Sequence, residues 1–397
     1  MVPGIRQLFN ASFTKEKYSA FLNDLDQQFP GAIDFRVAET PVFIGKELGD
    51  QMIQACEYII DFINDDDFLK LTDRAIPKEE YMQHENDHSH FIAFDFGICE
   101  NEDNELFPAL IEMQGFPTLF GFQAYYPEIL KKHFPIPSGF SNYFNGLDQE
   151  KYLQLLKDVI IGNHEKEEVV LLEIRPHQQK TRIDFYCTKQ FLGINIVCIT
   201  ELIKEGKELY YLNDGIKTKI RRIYNRVITD ELSAVKSELG DIIQFKDDLD
   251  VEWIPHPHWF YRISKFTLPY LHHPCIPQTW FLNEVVQLPK DLENYVLKPL
   301  FSFAGQGVVI DVTPEEINKI NDPENWILQR KVKYAACIET PDEPAKAEIR
   351  LMYVWKEGDQ RPTLVTNLAR LSKGKMIGVR YNKDKQWVGG SVAFFEQ

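Results

Sequence analysis

The sequence has no CxxC pair. Its six cysteines, Cys56, Cys99, Cys187, Cys198, Cys275 and Cys337, are scattered along 397 residues. That usage excludes a disulfide-stapled scaffold and reads as reduced thiols, the habit of a cytoplasmic protein. No run of about 18 uncharged apolar residues occurs, so no membrane span is expected. The first residues, Met1-Val2-Pro3-Gly4-Ile5-Arg6-Gln7, lack the apolar stretch of a secretory signal. Basic charge is in short supply: 44 Lys and Arg stand against 60 Asp and Glu, a net charge of −16. A partner as anionic as nucleic acid is therefore not expected. A small anion needs only a few local cations, and a cationic or amine-bearing substrate suits an acidic protein. There is no G-x-G-x-x-G, no G-x-x-x-x-G-K-[ST] and no G-x-S-x-G, so neither Rossmann nor P-loop sites nor a nucleophile elbow are supported.

What is present is an ordinary globular balance, 44% hydrophobic and 26% charged, enough to bury a substantial core. Internal repeats, low-complexity tracts and Gly/Ser linkers are missing, which predicts domains that share contacts. Residues 12–80 read mainly helical, with Ala55 to Phe62 apolar at helix spacing and Asp65-Asp66-Asp67 as a polar break. Phe91 to Ile98 and Phe107 to Met113 read as strands joined by the polar turn Glu100 to Glu105, a hairpin that brings Asp95 near Glu112. From about residue 165 the pattern changes. Val169 to Ile174 and Leu192 to Ile199 read as parallel strands, with residues 181–191 as the crossover helix. Ile220 to Tyr224 reads as a third strand, followed by a helix through Leu239. Beyond 250, strands are expected at 295–300, 307–312, 326–330, 347–355, 363–371 and 375–381. A helix is expected from Pro314 to Ile320, capped by Thr313 with Glu316 three residues on.

Two groups of residues carry the chemistry. Asp95 and Glu112 are carboxylates set in apolar strands, where such groups pair, bind a metal or face solvent. A hard cation such as magnesium takes oxygen ligands of this kind together with phosphate oxygens. Far behind them, Tyr295-Val296-Leu297-Lys298-Pro299 places a lysine in an apolar strand, and Ser302-Phe303-Ala304-Gly305-Gln306-Gly307 follows it. A buried lysine needs an anion, and glycines let a backbone approach a phosphate or let a lid move. An edge-strand lysine beside a plain turn gives the same pattern. Trp326-Ile327-Leu328-Gln329 is a further strand, and Glu348-Ile349-Arg350 and Asn367-Leu368-Ala369-Arg370 offer acids and arginines at alternating positions that share a face.

These segments, over about residues 90–397, resemble the circularly permuted ATP-grasp family that includes glutathionylspermidine synthetases, in which the metal end precedes the nucleotide end. The resemblance implies an α+β fold with a small α/β, pre-ATP-grasp-like domain. Residues 1–160 would hold a helical segment and the metal-binding strands, 165–245 the substrate side, and 250–397 the nucleotide part with its glycine lid. It implies ATP and Mg2+ as cofactors and an ADP-forming carboxylate–amine ligase working through an acyl phosphate. By the same resemblance Asp95, Glu112 and Gln114 would hold magnesium. Lys265, Lys298, Gly305, Gln306, Gly307 and Gln329 would hold ATP, and Arg370 or Arg350 would neutralise the transferring phosphoryl group. Two departures stand out: Gln114 replaces an Asn, and Ala93 an Arg, whose charge Arg36 or Arg350 would have to supply. Pro176 to Thr181 and Arg222 to Arg226 fall at strand ends on the substrate side. One alternative is a degenerate, non-catalytic nucleotide-binding protein. Another is a zinc metallopeptidase, because His84-Glu85-Asn86-Asp87-His88 fits H-E-x-x-H, with Glu112 as a conceivable third ligand.

Overall fold

Large apolar side chains alternate with Asp95 and Gly97 along the strand Phe91–Glu100, which is buried almost end to end. This strand lies inside a five-stranded antiparallel sheet, in the order Gly389–Ser391, Thr363–Ser372, Lys346–Val354, Phe91–Glu100, Leu106–Gln114. The computed structural model describes residues 2–301, 307–374, 377, 382 and 384–397. Alternation gives the sheet two unlike faces. Ile92, Phe94, Phe96, Ile349, Leu351 and Tyr353 point into the main core. The helix Lys46–Ile63 covers them, burying Leu48, Met52, Ala55, Cys56, Ile59, Ile60 and Ile63 at helical spacing. The opposite face carries the charged residues. Register places Asp95 between Glu112 and Arg350, and Glu348 between Gly97 and Arg370.

The expected hairpin forms. Asn101 closes its turn by accepting from the backbone of Asp103 at 3.0 Å and Glu105 at 2.8 Å. A bulge between Asp95 and Phe96 shifts the register there.

Three smaller sheets matter for the site or for closing the molecule. Thr279–Phe281, Trp326–Arg330 and Tyr295–Pro299 form an antiparallel sheet with Trp326–Arg330 in the middle. Glu252–Ile254, Arg222–Asn225, Val169–Glu173 and Asn195–Cys198 form a parallel sheet in that order, with the crossover helix Arg182–Leu192. Ala393–Glu396 sits between Val42–Ile44 and Phe140–Ser141.

Several expectations are corrected. Residues 12–80 are mainly helical as expected, in the helices Lys15–Gln27, Lys46–Ile63 and Phe68–Thr72, but the stretch between the first two is irregular and contains the strand Val42–Ile44. The stretch 220–224 is split. Ile216–Ile220 belongs to an antiparallel sheet with Glu208–Asn213 and Ile203–Glu205, and the parallel strand begins at Arg222. Residues 307–312 form no strand, and only Val309 bridges to Leu297. The helix after Thr313 ends at Asn318. The stretch 375–381 lies, apart from 377, outside the described residues. No helix among the described residues is long and apolar enough to cross a membrane.

Candidate functional site

The charged face of the central sheet is closely paired. Asp95, 2% exposed, accepts a two-pronged bond from Arg350: Nε to Oδ1 at 2.5 Å and Nη2 to Oδ2 at 2.6 Å. Arg370 donates from Nη2 to the same Oδ2 at 2.7 Å and also to Glu348 Oε1. The Tyr334 hydroxyl donates to Glu348 Oε2 at 3.0 Å. Tyr334 reaches that position because Gly97 has no side chain; a Cβ there would lie 2.7 Å from the ring. Burial would raise the Asp95 carboxyl, but Arg350 and Arg370 hold it below the usual carboxylate range.

Lys298 approaches from the small antiparallel sheet. Its amine donates to Gln329 Oε1 at 2.6 Å and to the Ile111 carbonyl at 3.2 Å. Gln329 is held in turn by donating to Thr279 Oγ1 at 3.0 Å. Among the described residues, the amine's hydrogen-bond partners are thus neutral oxygens. Burial lowers its pKa to about 8, with Lys265 adding to the drop and Glu112 and Glu348 opposing it. Lys265 follows the short helix His258–Arg262, and its Nζ lies 3.5 Å from Glu112 Oε1. A narrow cleft of about 20 Å³ is lined by Glu112, Gln114, Phe116, Phe260 and Lys265. The Gln114 Oε1 atom is buried without a hydrogen-bond partner among the described residues.

The structure thus brings Asp95, Glu112, Arg350, Arg370, Lys265, Lys298 and Gln329 toward one region. Gly305 and Gln306 lie outside the described residues. Gly307 has φ +72°, where an added Cβ would be strained and would meet the Pro299 ring at 3.0 Å. Arg36 is engaged elsewhere, with Glu39 and the Val388 carbonyl. Arg350 is the arginine beside Asp95.

Magnesium can be tested against these donors. Glu112 and Gln114 offer oxygens of the right kind. Asp95 does not, because both of its oxygens are already bonded to guanidinium groups in a buried setting. The set Asp95, Glu112 and Gln114 therefore does not fit a magnesium ion as arranged.

The H-E-x-x-H segment does not form a zinc site. Residues 81–90 are not helical, and His84 has φ 63°. His84 points to Asp248 at 3.3 Å, while His88 stacks on Trp355 with ring centroids 4.3 Å apart. Glu85 instead meets His258 Nδ1 at 2.9 Å and takes both Nε and Nη2 of Arg262, at 2.5 and 2.9 Å. His256 lies close by, so the three side chains bring metal-type ligand atoms within 4.8 Å of one another. Every ring nitrogen there already has a partner: Met82 N and Glu85 for His258, and His258 N and the Gln83 carbonyl for His256. This cluster, which sequence reasoning missed, anchors the segment that carries Lys265. Arg262 also donates to Asp73, Thr72 and the Leu69 carbonyl. Gly115 lets that segment lie against the central sheet, since a Cβ there would be 2.5 Å from the Trp259 carbonyl oxygen.

On the parallel sheet, Glu173 and Arg226 mark the carboxyl ends of adjacent strands whose connections run in opposite directions, the usual place for a ligand in such a sheet. Arg226 donates to Asp184 at 2.7 Å and lies over the Phe116 ring of the cleft, 5.8 Å from its centroid. Burial pushes the Glu173 carboxyl up to about 8. Arg222 sits at the opposite end of its strand, paired with Glu252 and Glu357. His177 bonds to Tyr186.

No family model matches the chain, and no curated protein matches it by sequence. Among solved structures, it is similar to a glutathione synthetase-like effector from Globodera pallida in apo form, with a TM-score of 0.60 at 10% identity over 97% of this chain and 98% of that one. What the two share is the fold, a mixed α+β arrangement.

Proposed function

We propose that this chain is an ATP-dependent carboxylate–amine ligase with a circularly permuted ATP-grasp arrangement. The observation that carries the reading is Lys298, a half-buried lysine whose bonded partners among the described residues are neutral oxygens, set within electrostatic reach of Lys265 and Glu112, which border the cleft. A charge so placed calls for an anion, and a polyphosphate supplies one. In this reading residues 250–397 hold the nucleotide, with Gly305 to Gly307 as its lid. Residues 1–160 contribute the acidic strands and 165–245 the substrate side.

Lys298 and Lys265 would bind phosphate oxygens, and Gln329 would fix the Lys298 amine. Arg370, whose side chain is 39% exposed, would neutralise a transferring phosphoryl group while held by Asp95 and Glu348, with Arg350 more deeply buried beside it. Such fixed cations supply the electrostatic stabilisation on which phosphoryl transfer depends. The γ-phosphoryl group would pass to a substrate carboxylate as ADP leaves. The amine would then attack the acyl carbon, phosphate would depart, and the nitrogen would lose its proton. No step is assigned to magnesium, since the donors do not fit it.

The test is phosphate release from ATP across a panel of carboxylates and amines, for wild type and Lys298→Ala. Release that needs both a carboxylate and an amine, and is lost in the variant, is expected. A second reading, a nucleotide-binding protein without catalysis, is favoured by the engagement of Asp95 with Arg350 and Arg370. It predicts ATP binding that depends on Lys298 with no phosphate release for any pair.

A further inference from the structure

The donors around Asp95 bear on how a phosphate would be held, and this step rests on the nucleotide-binding half of the function proposed above. Magnesium sheds its water reluctantly and is usually bound through one or two carboxylates plus phosphate oxygens. On this face Asp95 bonds three guanidinium N–H groups, and Glu348 bonds Arg370 and Tyr334. For a metal to take Asp95, Arg350 would have to leave it. Arg350 is 7% exposed, and a guanidinium stripped of its partner there is strongly unfavourable. Glu112 would then be the one carboxylate available to a metal in the expected set, with the Gln114 oxygen beside it. The work of a cation is already represented by protein groups. Lys298 has neutral hydrogen-bond partners among the described residues, and Arg370, bonded through Nη2 to Asp95 and Glu348, has a side chain that is partly exposed.

We infer that Lys298, Lys265 and Arg370, which converge around Glu112, bind the triphosphate of a nucleotide without requiring a divalent cation, Arg350 having taken the carboxylate that a metal would use. The experiment is calorimetric titration of the full chain with ATP, once in excess EDTA and once in saturating magnesium. Dissociation constants that agree within about threefold are expected. A second titration uses Arg350→Lys, which keeps a charge beside Asp95 but cannot form the two-pronged bond. In that variant, magnesium is expected to tighten ATP binding by about tenfold or more over EDTA. Wild-type binding that appears in magnesium and vanishes in EDTA overturns this inference and leaves the nucleotide reading standing. Absence of binding under both conditions, with the wild-type chain folded, overturns both.

Discussion

Lys298 is where burial and ligand binding pull in opposite directions. Its pKa is lowered from 10.5 to about 8 because burial disfavours the charged amine. Between those two values the unfolded chain holds a proton that the folded chain has lost. Stability from this group therefore rises as pH climbs from about 8 toward 10.5. A phosphate draws the pKa back up, so ATP affinity is expected to fall over the same range, with proton uptake on binding. Titrations in two buffers of different ionisation heat would show the uptake; none above pH 8 would remove phosphate from Lys298. Lys298→Met is expected to melt at or above the wild-type temperature, because it removes a half-buried charge that has no ion-pair partner among the described residues. The same variant should lose the ATP-dependent rise in melting temperature. Asp95→Asn should instead be destabilised by about 3–5 kcal/mol in denaturant unfolding, since two arginines lose their counter-charge. The placement of both residues in apolar strands was legible: a lysine between Leu297 and Pro299, and an aspartate between Phe94 and Phe96. Their partners were not. Arg350 stands 255 residues from Asp95, and nothing local ties a carboxylate to a guanidinium at that separation rather than to a metal.

Between elements, the segment from His258 to Tyr270 links the sequence around Glu85 to the cleft. Glu85 is buried enough that its carboxyl would rise, yet hydrogen bonds from Arg262 and His258 and the Arg262 charge bring it from 4.5 to about 2. Its contribution to stability is full above the unfolded value and is lost as pH falls through about 2. Glu85→Gln should lower stability by about 3 kcal/mol at neutral pH and flatten the loss of stability between about pH 4.5 and 2, as followed by urea unfolding. Gly115→Ala tests the same segment from the other side. Its Cβ must push the Trp259 backbone away, so a loss of about 1–3 kcal/mol is expected, with weaker ATP binding as Lys265 shifts. A variant that binds ATP as wild type does would separate Lys265 from the site. The sequence around Glu85 was read as a zinc motif because its spacing is right for a helix. The segment forms no helix, so the spacing does not put both histidines on one face. The three-stranded sheet around 203–220 was missed although a signal existed. Asp214-Gly215 has positive φ at both residues, the two-residue hairpin turn that such a pair favours, between strands of alternating pattern.

At the scale of the whole molecule, local pattern gives strands and helices but not the order of strands in a sheet. Phe91–Glu100 and Leu106–Gln114 pair as a hairpin, which the intervening polar turn made legible. That Lys346–Val354 joins their edge, and Thr363–Ser372 joins it, depends on packing partners distant in sequence. So the charged face is assembled by tertiary structure, whose register local pattern does not give. The same long-range closure is visible on the other side of the molecule. There Phe395, 3% exposed, packs on Phe144 at 4.8 Å and over Gly49 of the helix Lys46–Ile63. That helix covers the apolar face of the central sheet, opposite the charged one. Phe395→Ala opens a cavity in that core, and a loss of about 3–5 kcal/mol is expected. Because the cavity lies behind the sheet, the charged face should keep its geometry. A ligand at about 100 times its dissociation constant stabilises the native state by about 2.7 kcal/mol whatever the starting stability, provided it binds only the folded chain. The variant should therefore unfold at lower urea concentration than wild type yet gain the same increment from ATP. A smaller increment in Phe395→Ala would mean that the two faces of the sheet are coupled, and that the helix Lys46–Ile63 takes part in shaping the cleft.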